Sequence, residues 1–231
     1  MKNILIKGAG VGGLTTAFML QQKGFSVTIS APPSSPIGTA SWYAGGMLAP
    51  YCEREIAEQI VEDLGIQAIE WWYKTLPYLL IRKGTLVVAP ARDKVELERF
   101  SERTHHHRII NGEEIACLEP DLAERFNHAL FYENEAHLDP RKALIALKEN
   151  LIKNGACFVD IKTSETNFDI IIDATGIARL GKDKIYAVFV VKCFSYAVGI
   201  LKFLAQFAFF IHAFLSTLFL GKIIFLWLVQ Q

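Results

Sequence analysis

The sequence predicts an α/β protein: a doubly wound parallel sheet with a partial second domain inserted into it and an apolar tail after it. The N-terminal stretch 3–30 runs strand, glycine turn, helix, strand, and a second buried strand follows at 168–176. Further predicted helices and strands, in a different sequence of elements, lie between these two pieces. We therefore predict a sheet domain from segments 1–52 and 138–180, a partial inserted domain at 53–137 and a tail at 185–231.

The first strand, helix and second strand are indicated by periodicity. Asn3–Lys7 is a short apolar run, and Phe25–Ser30 is another. Between them, apolar residues recur at helical spacing from Leu14 to Leu20, and Gly24 is placed to end the helix.

Three glycines in the turn between the first strand and the helix follow the pattern G-x-G-x-x-G. Gly8 permits a tight turn, Gly10 lets the backbone approach a pyrophosphate, and Gly13 lets the helix lie close to the strand. The helix N-terminus then faces the phosphates. In this strand-turn-helix context the pattern predicts dinucleotide binding, whereas the pattern alone is also compatible with an ordinary glycine-rich turn.

One expected part of a dinucleotide site is missing. An acidic residue about 20 positions beyond the glycines usually accepts a hydrogen bond from a ribose hydroxyl. The second strand ends instead in "ISAPPSS", with Ser30 and Ala31 at that place. We expect weaker binding of the adenosine, with Ser30 offering a neutral hydrogen bond in place of a charged one.

The segment between the two pieces of the sheet is mixed. It shows a helical pattern over 53–76, a strand over 84–89 and a polar helix over 93–103, and then a strand, a loop and a helix over 128–155. The second buried strand, "FDIIIDATG" at 168–176, ends in a turn of small residues. Such strand ends line the cofactor crevice of a doubly wound sheet, although an ordinary core strand would read the same way.

Charge is distributed very unevenly along the chain. After Lys184 the only charged side chains are three lysines, so all 24 acidic groups precede the tail. The mildly acidic head has no basic patch, which argues against nucleic acid as a partner. The four cysteines include no C-x-x-C pair, and the first residues lack the apolar run of a signal peptide, so we expect a cytoplasmic protein.

Several stretches together resemble the glycine oxidase branch of the D-amino-acid-oxidase-like flavoproteins, the branch that serves thiazole synthesis for thiamine. The resemblance covers about residues 2–179, and its most specific piece is "ASWYAGGMLAPYCE" at 40–53. The stretches are "GAGVGGLTTA", "ASWYAGGMLAPYCERE", "GTLVVAPARD", "EPDLA", "EAHLDPRKAL" and "DATG".

The resemblance implies a Rossmann-like domain that binds FAD, with residues 40–50 against the flavin. Glycines 45 and 46 permit close approach to a flat ring, and Trp42, Tyr43 and Met47 can pack against its edges. An apolar buried loop is the alternative for this stretch. The expected cofactor-binding residues are Gly8, Gly10, Val11, Gly12, Gly13, Ser30, Ala40, Ser41, Trp42, Gly45, Gly46, Met47, Leu48, Ala174, Thr175 and Gly176.

The chemistry that the resemblance implies is oxidation of glycine or a similar small amino acid or amine. A hydride passes from the α carbon to the flavin, and dioxygen reoxidises it. The arginine that would clamp the substrate carboxylate lies in the C-terminal half of such enzymes, which has no recognisable counterpart in this chain. The catalytic residues therefore stay unassigned, and we expect this chain to be truncated and inactive.

Two histidine-bearing stretches are interpreted structurally. The run "THHHR" at 104–108 offers three imidazoles, but consecutive residues rarely converge on one ion, so a solvated loop is expected and no metal site is predicted. In "HLDPR", Asp139 suits a helix N-cap and Pro140 the first helical position, which we favour over catalysis by His137 or Asp139.

The tail includes 18 uncharged residues at 203–220, long enough to cross a bilayer. When codons for the tail are read one base out of frame, Lys184–Cys193 permits N-L-R-G-V-R-G-E-M, which resembles the continuation of the family. We therefore interpret the tail as the product of a frameshift near Lys184. The alternative is a membrane anchor on an FAD-binding protein without oxidase activity, with lysines preceding the span on the cytoplasmic side.

Overall fold

The computed structural model describes residues 2–176, together with the backbone of strands 190–192 and 224–227. The chain divides into two compact units. Within the described residues the first comprises 2–46, 139–176 and 190–192, and the second comprises 47–138 and 224–227. The assignment of these units to a cofactor domain and a substrate domain stays a prediction.

The first unit contains a five-stranded sheet in the order β11-β10-β1-β2-β9. Four strands run parallel, and β11 pairs antiparallel at the edge. The strands are β1 (Asn3–Lys7), β2 (Ser26–Ser30), β9 (Cys157–Val159), β10 (Ile170–Asp173) and β11 (Val190–Lys192). The predicted α/β class with a parallel sheet is confirmed.

The position of β1 at the centre follows from its composition. Its residues Ile4, Leu5 and Ile6 are each at most 1% exposed, as expected of a strand covered on both faces. The chain passes from β1 to β2 and β9 on one side, and then to β10 on the other side of β1. The carboxyl end of β1 therefore lies at a switch point of the sheet, where ligands bind in open α/β folds.

Two helices of the first unit pack against each other, α1 (Val11–Gln22) and α6 (Pro140–Lys153). The helix α1 ends just before Gly24, whose φ of +83° favours glycine. The helix α6 begins as predicted: the Asp139 carboxylate accepts from the amides of Arg141 and Lys142 at 2.9 and 3.2 Å, and Pro140 follows it.

The second unit has two antiparallel sheets. The first, in the order β12-β5-β7-β6, comprises β5 (Thr85–Val88), β6 (Arg108–Asn111), β7 (His128–Tyr132) and β12 (Ile224–Trp227). The second, in the order β3-β8-β4, comprises β3 (Met47–Leu48), β4 (Leu80–Ile81) and β8 (Ala136–Leu138). Its helices are α2 (Pro50–Glu53), α3 (Gln59–Thr75), α4 (Lys94–Arg103) and α5 (Gly112–Leu118).

Two sequence predictions for this unit are corrected. The helical pattern predicted over 53–76 begins too early, because α2 ends at Glu53 and α3 begins only at Gln59. In the turn between them the Arg54 guanidinium donates to the Ala57 carbonyl at 2.6 Å. The expected loop after β7 contains the strand β8, which pairs with both β3 and β4. Three residues with partners far away in sequence give too short a pattern to predict.

Among the described residues, no helix has the length and apolar character needed to cross a membrane. The uncharged stretch 203–220 lies outside the described residues.

Candidate functional site

The glycine turn at the end of β1 is held by close backbone contacts. Gly8 has φ +106°, and its amide donates to the Ser30 carbonyl at 2.8 Å. A Cβ on Gly8 would lie 2.5 Å from the Ala174 carbonyl oxygen. The turn thus joins the ends of β1, β2 and β10, and only glycine fits it.

The other two glycines of the motif control how close the helix α1 comes. A Cβ on Gly13 would overlap the Gly8 carbonyl oxygen, so glycine here lets the helix lie against the end of β1. Gly10 is the N-cap of α1, and a Cβ on it would lie 3.2 Å from the Ser41 hydroxyl. The close packing of the helix at Gly13 was predicted from the sequence. The contact between Gly10 and Ser41 was not.

The N-terminus of α1 has no acidic residue in its first turn, and its N-cap residue has no side chain. The amide of Val11 donates instead to the Ser41 hydroxyl at 3.0 Å, in a buried position. The helix macrodipole places partial positive charge at this end. An anionic group, such as a phosphate, is therefore the complement of this site.

Ser41 is positioned by a short 3-10 turn, Ala40–Tyr43. The Thr39 hydroxyl caps this turn by accepting from the Trp42 amide at 3.3 Å. The Arg141 Nε donates to the Trp42 carbonyl at 3.4 Å, and its guanidinium lies 5.7 Å from the Trp42 ring centre. Sequence reasoning missed Thr39 and Arg141; the T-x-x-W spacing of a capped turn could have indicated Thr39.

The predicted flavin segment is divided between the units. Gly45 and Gly46 end the first segment of the first unit, with Gly46 at φ +77°. Met47 and Leu48 form β3 in the second unit, where both are buried and pair with His137 and Ala136.

The end of β2 carries a hydroxyl where a carboxylate is usual. Ser30 is 4% exposed, and its hydroxyl donates to the Asp160 carbonyl at 3.1 Å. Asp160 follows β9, the neighbour of β2, and its exposed carboxylate accepts from the Lys162 amide at 3.0 Å. A carboxylate thus stands at the end of the adjacent strand, a feature that the run "CFVD" could have indicated.

The turn after β10 is closed by its own side chains. The Asp173 carboxylate accepts from the Thr175 amide at 3.1 Å and from the Thr175 hydroxyl at 2.6 Å. The Ala174 amide donates to the Lys7 carbonyl at 2.8 Å, and Gly176 has φ +61°. Of the predicted site residues, Gly8, Gly10, Gly13, Ser41 and Ala174 are brought together here.

The histidines lie elsewhere. His105 and His106 are exposed, and the His107 Nε2 lies 2.8 Å from the Ser101 hydroxyl, with its pKa lowered by burial and then by His105. His137 is buried in β8, and burial, followed by Lys83, lowers its pKa. Over the described residues, no group of three or more His, Cys, Asp or Glu side chains could hold a metal ion.

We expect Ser41→Ala to destabilise the first unit. The Val11 amide is buried and would lose its acceptor, which costs about 1 kcal/mol of the free energy of unfolding. Urea denaturation in the absence of cofactor measures this loss. Ser34→Ala, at an exposed position in the same loop, is the matched control and should change the midpoint little. Equal midpoints for the two variants would contradict the capping role of Ser41.

The comparisons with known proteins agree in one family. The profile of the FAD dependent oxidoreductase family, DAO, matches residues 3–193. A protein of Rhizobium etli named thiamine biosynthesis oxidoreductase ThiO is 48% identical over 181 residues, which cover 78% of this chain and 55% of the relative. The chain therefore spans about half the length of this relative.

Solved structures share the fold at low identity. Glycine oxidase from Bacillus cereus aligns with a TM-score of 0.61 and 17% identity, over 76% of this chain and 55% of that chain. Iminodiacetate oxidase from Chelativorans sp. BNC1 aligns with a TM-score of 0.61 and 21% identity, over 75% and 55%. The L-amino acid deaminase of Proteus myxofaciens aligns with a TM-score of 0.61 and 20% identity, over 77% and 46%.

Proposed function

Since this chain belongs to the family of FAD-dependent oxidoreductases, we propose that its first unit holds the pyrophosphate of FAD at the N-terminus of α1. The observation that carries the proposal is the glycine turn, in which side chains at Gly8 and Gly13 would overlap backbone atoms and a side chain at Gly10 would crowd Ser41. A surface stripped of side chains lets a phosphate reach backbone amides directly.

The charge at this place also suits a dinucleotide. The first turn of α1 carries no acidic side chain that would repel phosphate, and the helix dipole is favourable. The Ser41 hydroxyl oxygen accepts from the Val11 amide, and its O–H can at the same time donate to a phosphate oxygen. The remaining expected contacts, from Ser30, residues 40–48 and residues 174–176, are part of the same proposal.

For the reaction, we propose oxidation of a small amino acid or amine, with glycine as the first candidate. The support is the 48% identity to a relative named for thiamine biosynthesis and the fold shared with a glycine oxidase. Bound FAD supplies the acceptor for a hydride from the substrate α carbon. The described residues provide the proposed cradle for the cofactor. None of their arginines is assigned to a substrate carboxylate.

The activity of the 231-residue chain is accordingly proposed to be lower than its family membership suggests. The chain spans 55% of its relative, and the residues after 193 lie outside the match to the family profile. We propose that this chain retains flavin binding and lacks the groups that orient a substrate. A frameshift near Lys184 is our explanation for the tail.

Binding of FAD tests this proposal, with ADP and riboflavin as paired probes. We expect the purified chain to quench FAD fluorescence on titration, and ADP to displace FAD, because both carry the pyrophosphate that α1 would bind. Riboflavin, which has no phosphate, should neither bind tightly nor compete. Tight binding of riboflavin without competition by ADP would contradict the site at α1, and no binding of FAD would contradict the function.

A further inference from the structure

A carboxyl group outside the cofactor site is completely buried in the second unit. Glu135, in the turn between β7 and β8, is 0% exposed. Its Oε1 accepts from the Cys52 amide at 2.8 Å, and its Oε2 accepts from the Cys52 thiol at 3.2 Å. The Thr85 hydroxyl donates a further hydrogen bond. One side chain therefore connects three separate pieces of chain: α2, β5 and the β7–β8 turn.

In the part of the chain that the structure describes, no cation pairs with Glu135. Over the described residues, none of the ion pairs involves Glu135. The titratable groups that face it are the Cys52 thiol and the Glu53 carboxyl on α2, the Tyr51 phenol beside them, and the Tyr132 phenol on β7. An ionised carboxylate here would be buried among neutral or acidic groups, which is unfavourable.

Burial raises the pKa of Glu135 to about 7, against the opposing effect of its three hydrogen-bond donors. The pKa of the Cys52 thiol is raised by burial and by Glu135, and the pKa of the Tyr132 phenol is raised by burial first. Both neighbours therefore stay neutral in the range where Glu135 gains its charge.

We propose that Glu135 is a pH-sensitive latch that holds residues 49–53 against β5 and the β7–β8 turn, closed when its carboxyl is protonated and loosened when it ionises. Residues 49–53 follow directly after β3 and carry α2. Ala49, Pro50 and Cys52 are buried in this segment, so opening it exposes Cys52 to solvent.

The direction of the pH effect follows from the raised pKa. In the opened segment the carboxyl would titrate at its ordinary value of 4.5, and in the closed segment at about 7. The stabilisation of the closed segment by Glu135 is complete below pH 4.5 and is lost as the pH rises to about 7. Above about pH 7 both forms are ionised, and the opening equilibrium no longer changes.

Alkylation of Cys52 measures this opening in the full chain. N-ethylmaleimide labelling is quantified by mass spectrometry at Cys52 and at the exposed Cys117, whose labelling corrects for the common increase of thiolate with pH. We expect the Cys52 to Cys117 ratio to rise about tenfold per pH unit between about pH 5 and 7 and to level above that.

Two variants separate a latch from a merely buried residue. Glu135→Gln keeps the shape and the acceptor for the Cys52 amide but cannot ionise, so its ratio should stay flat with pH. Glu62→Gln, at another buried carboxyl in the same unit, should keep the wild-type rise. A wild-type ratio that is flat from about pH 5 to 7, or an equal rise in Glu135→Gln, would overturn the proposal. The wild-type profile decides the matter even if Glu135→Gln fails to fold.

Discussion

Replacing Gly8 with alanine is expected to abolish FAD binding and to unfold the first unit. The new Cβ would lie 2.5 Å from the Ala174 carbonyl oxygen and 2.8 Å from its carbon, at a φ of +106° that alanine avoids. Both neighbours are backbone atoms at the end of the central strands, so neither can rotate away. We expect a loss of more than about 4 kcal/mol of the free energy of unfolding, measured by urea denaturation beside an FAD titration.

Gly24→Ala is the matched control for this prediction. Gly24 also has a positive φ, +83°, but a Cβ added there meets nothing within 4 Å. It should therefore cost only the conformational penalty, about 1–2 kcal/mol, and should leave FAD binding intact. If Gly8→Ala and Gly24→Ala lose the same amount, the close approach of β1 and β10 at the glycine turn is not what makes Gly8 necessary.

Glycine added to the purified 231-residue chain with bound FAD is expected to produce no peroxide above the enzyme-free background. Holding a substrate against the cofactor contributes factors of about 10⁵ or more in effective concentration, and among the described residues no arginine is assigned to that purpose. Turnover should lie at least ~10³-fold below that of glycine oxidase from Bacillus cereus, assayed in parallel as the positive control.

Chemical reduction distinguishes a missing substrate site from an inert flavin. If dithionite reduces the bound FAD and air then reoxidises it with release of peroxide, the cofactor is competent and only the substrate half is lacking. Peroxide formation that depends on glycine would show the inactive assignment to be wrong. Failure to bind FAD at all would instead remove the proposed function itself.

The nucleotide sequence across the codons for 180–231 tests the interpretation of the tail. A frameshift near Lys184 requires that the other frame encode a peptide of the family pattern. If that frame carries no such peptide, the membrane anchor becomes the better explanation of the uncharged stretch 203–220.

The sequence by itself determined the parts of the first unit whose signals are local. The strand Asn3–Lys7 has its predicted bounds, and the helix after it begins at the glycine turn. Asp139 and Pro140 cap α6 as predicted. These features are readable because apolar periodicity, caps and glycine turns each depend on residues within a few positions of one another. The family resemblance added the cofactor.

The tertiary structure alone decided the contacts between distant residues. Ser41 binds the Val11 amide across 30 positions, Ser30 binds the Asp160 carbonyl across 130, and Glu135 binds Cys52 across 83. In the sequence, Ser41, Ser30 and Glu135 are two ordinary serines and an ordinary glutamate. Their roles arise because folding removes them from water, where a buried donor or acceptor must find a partner wherever the chain has placed one.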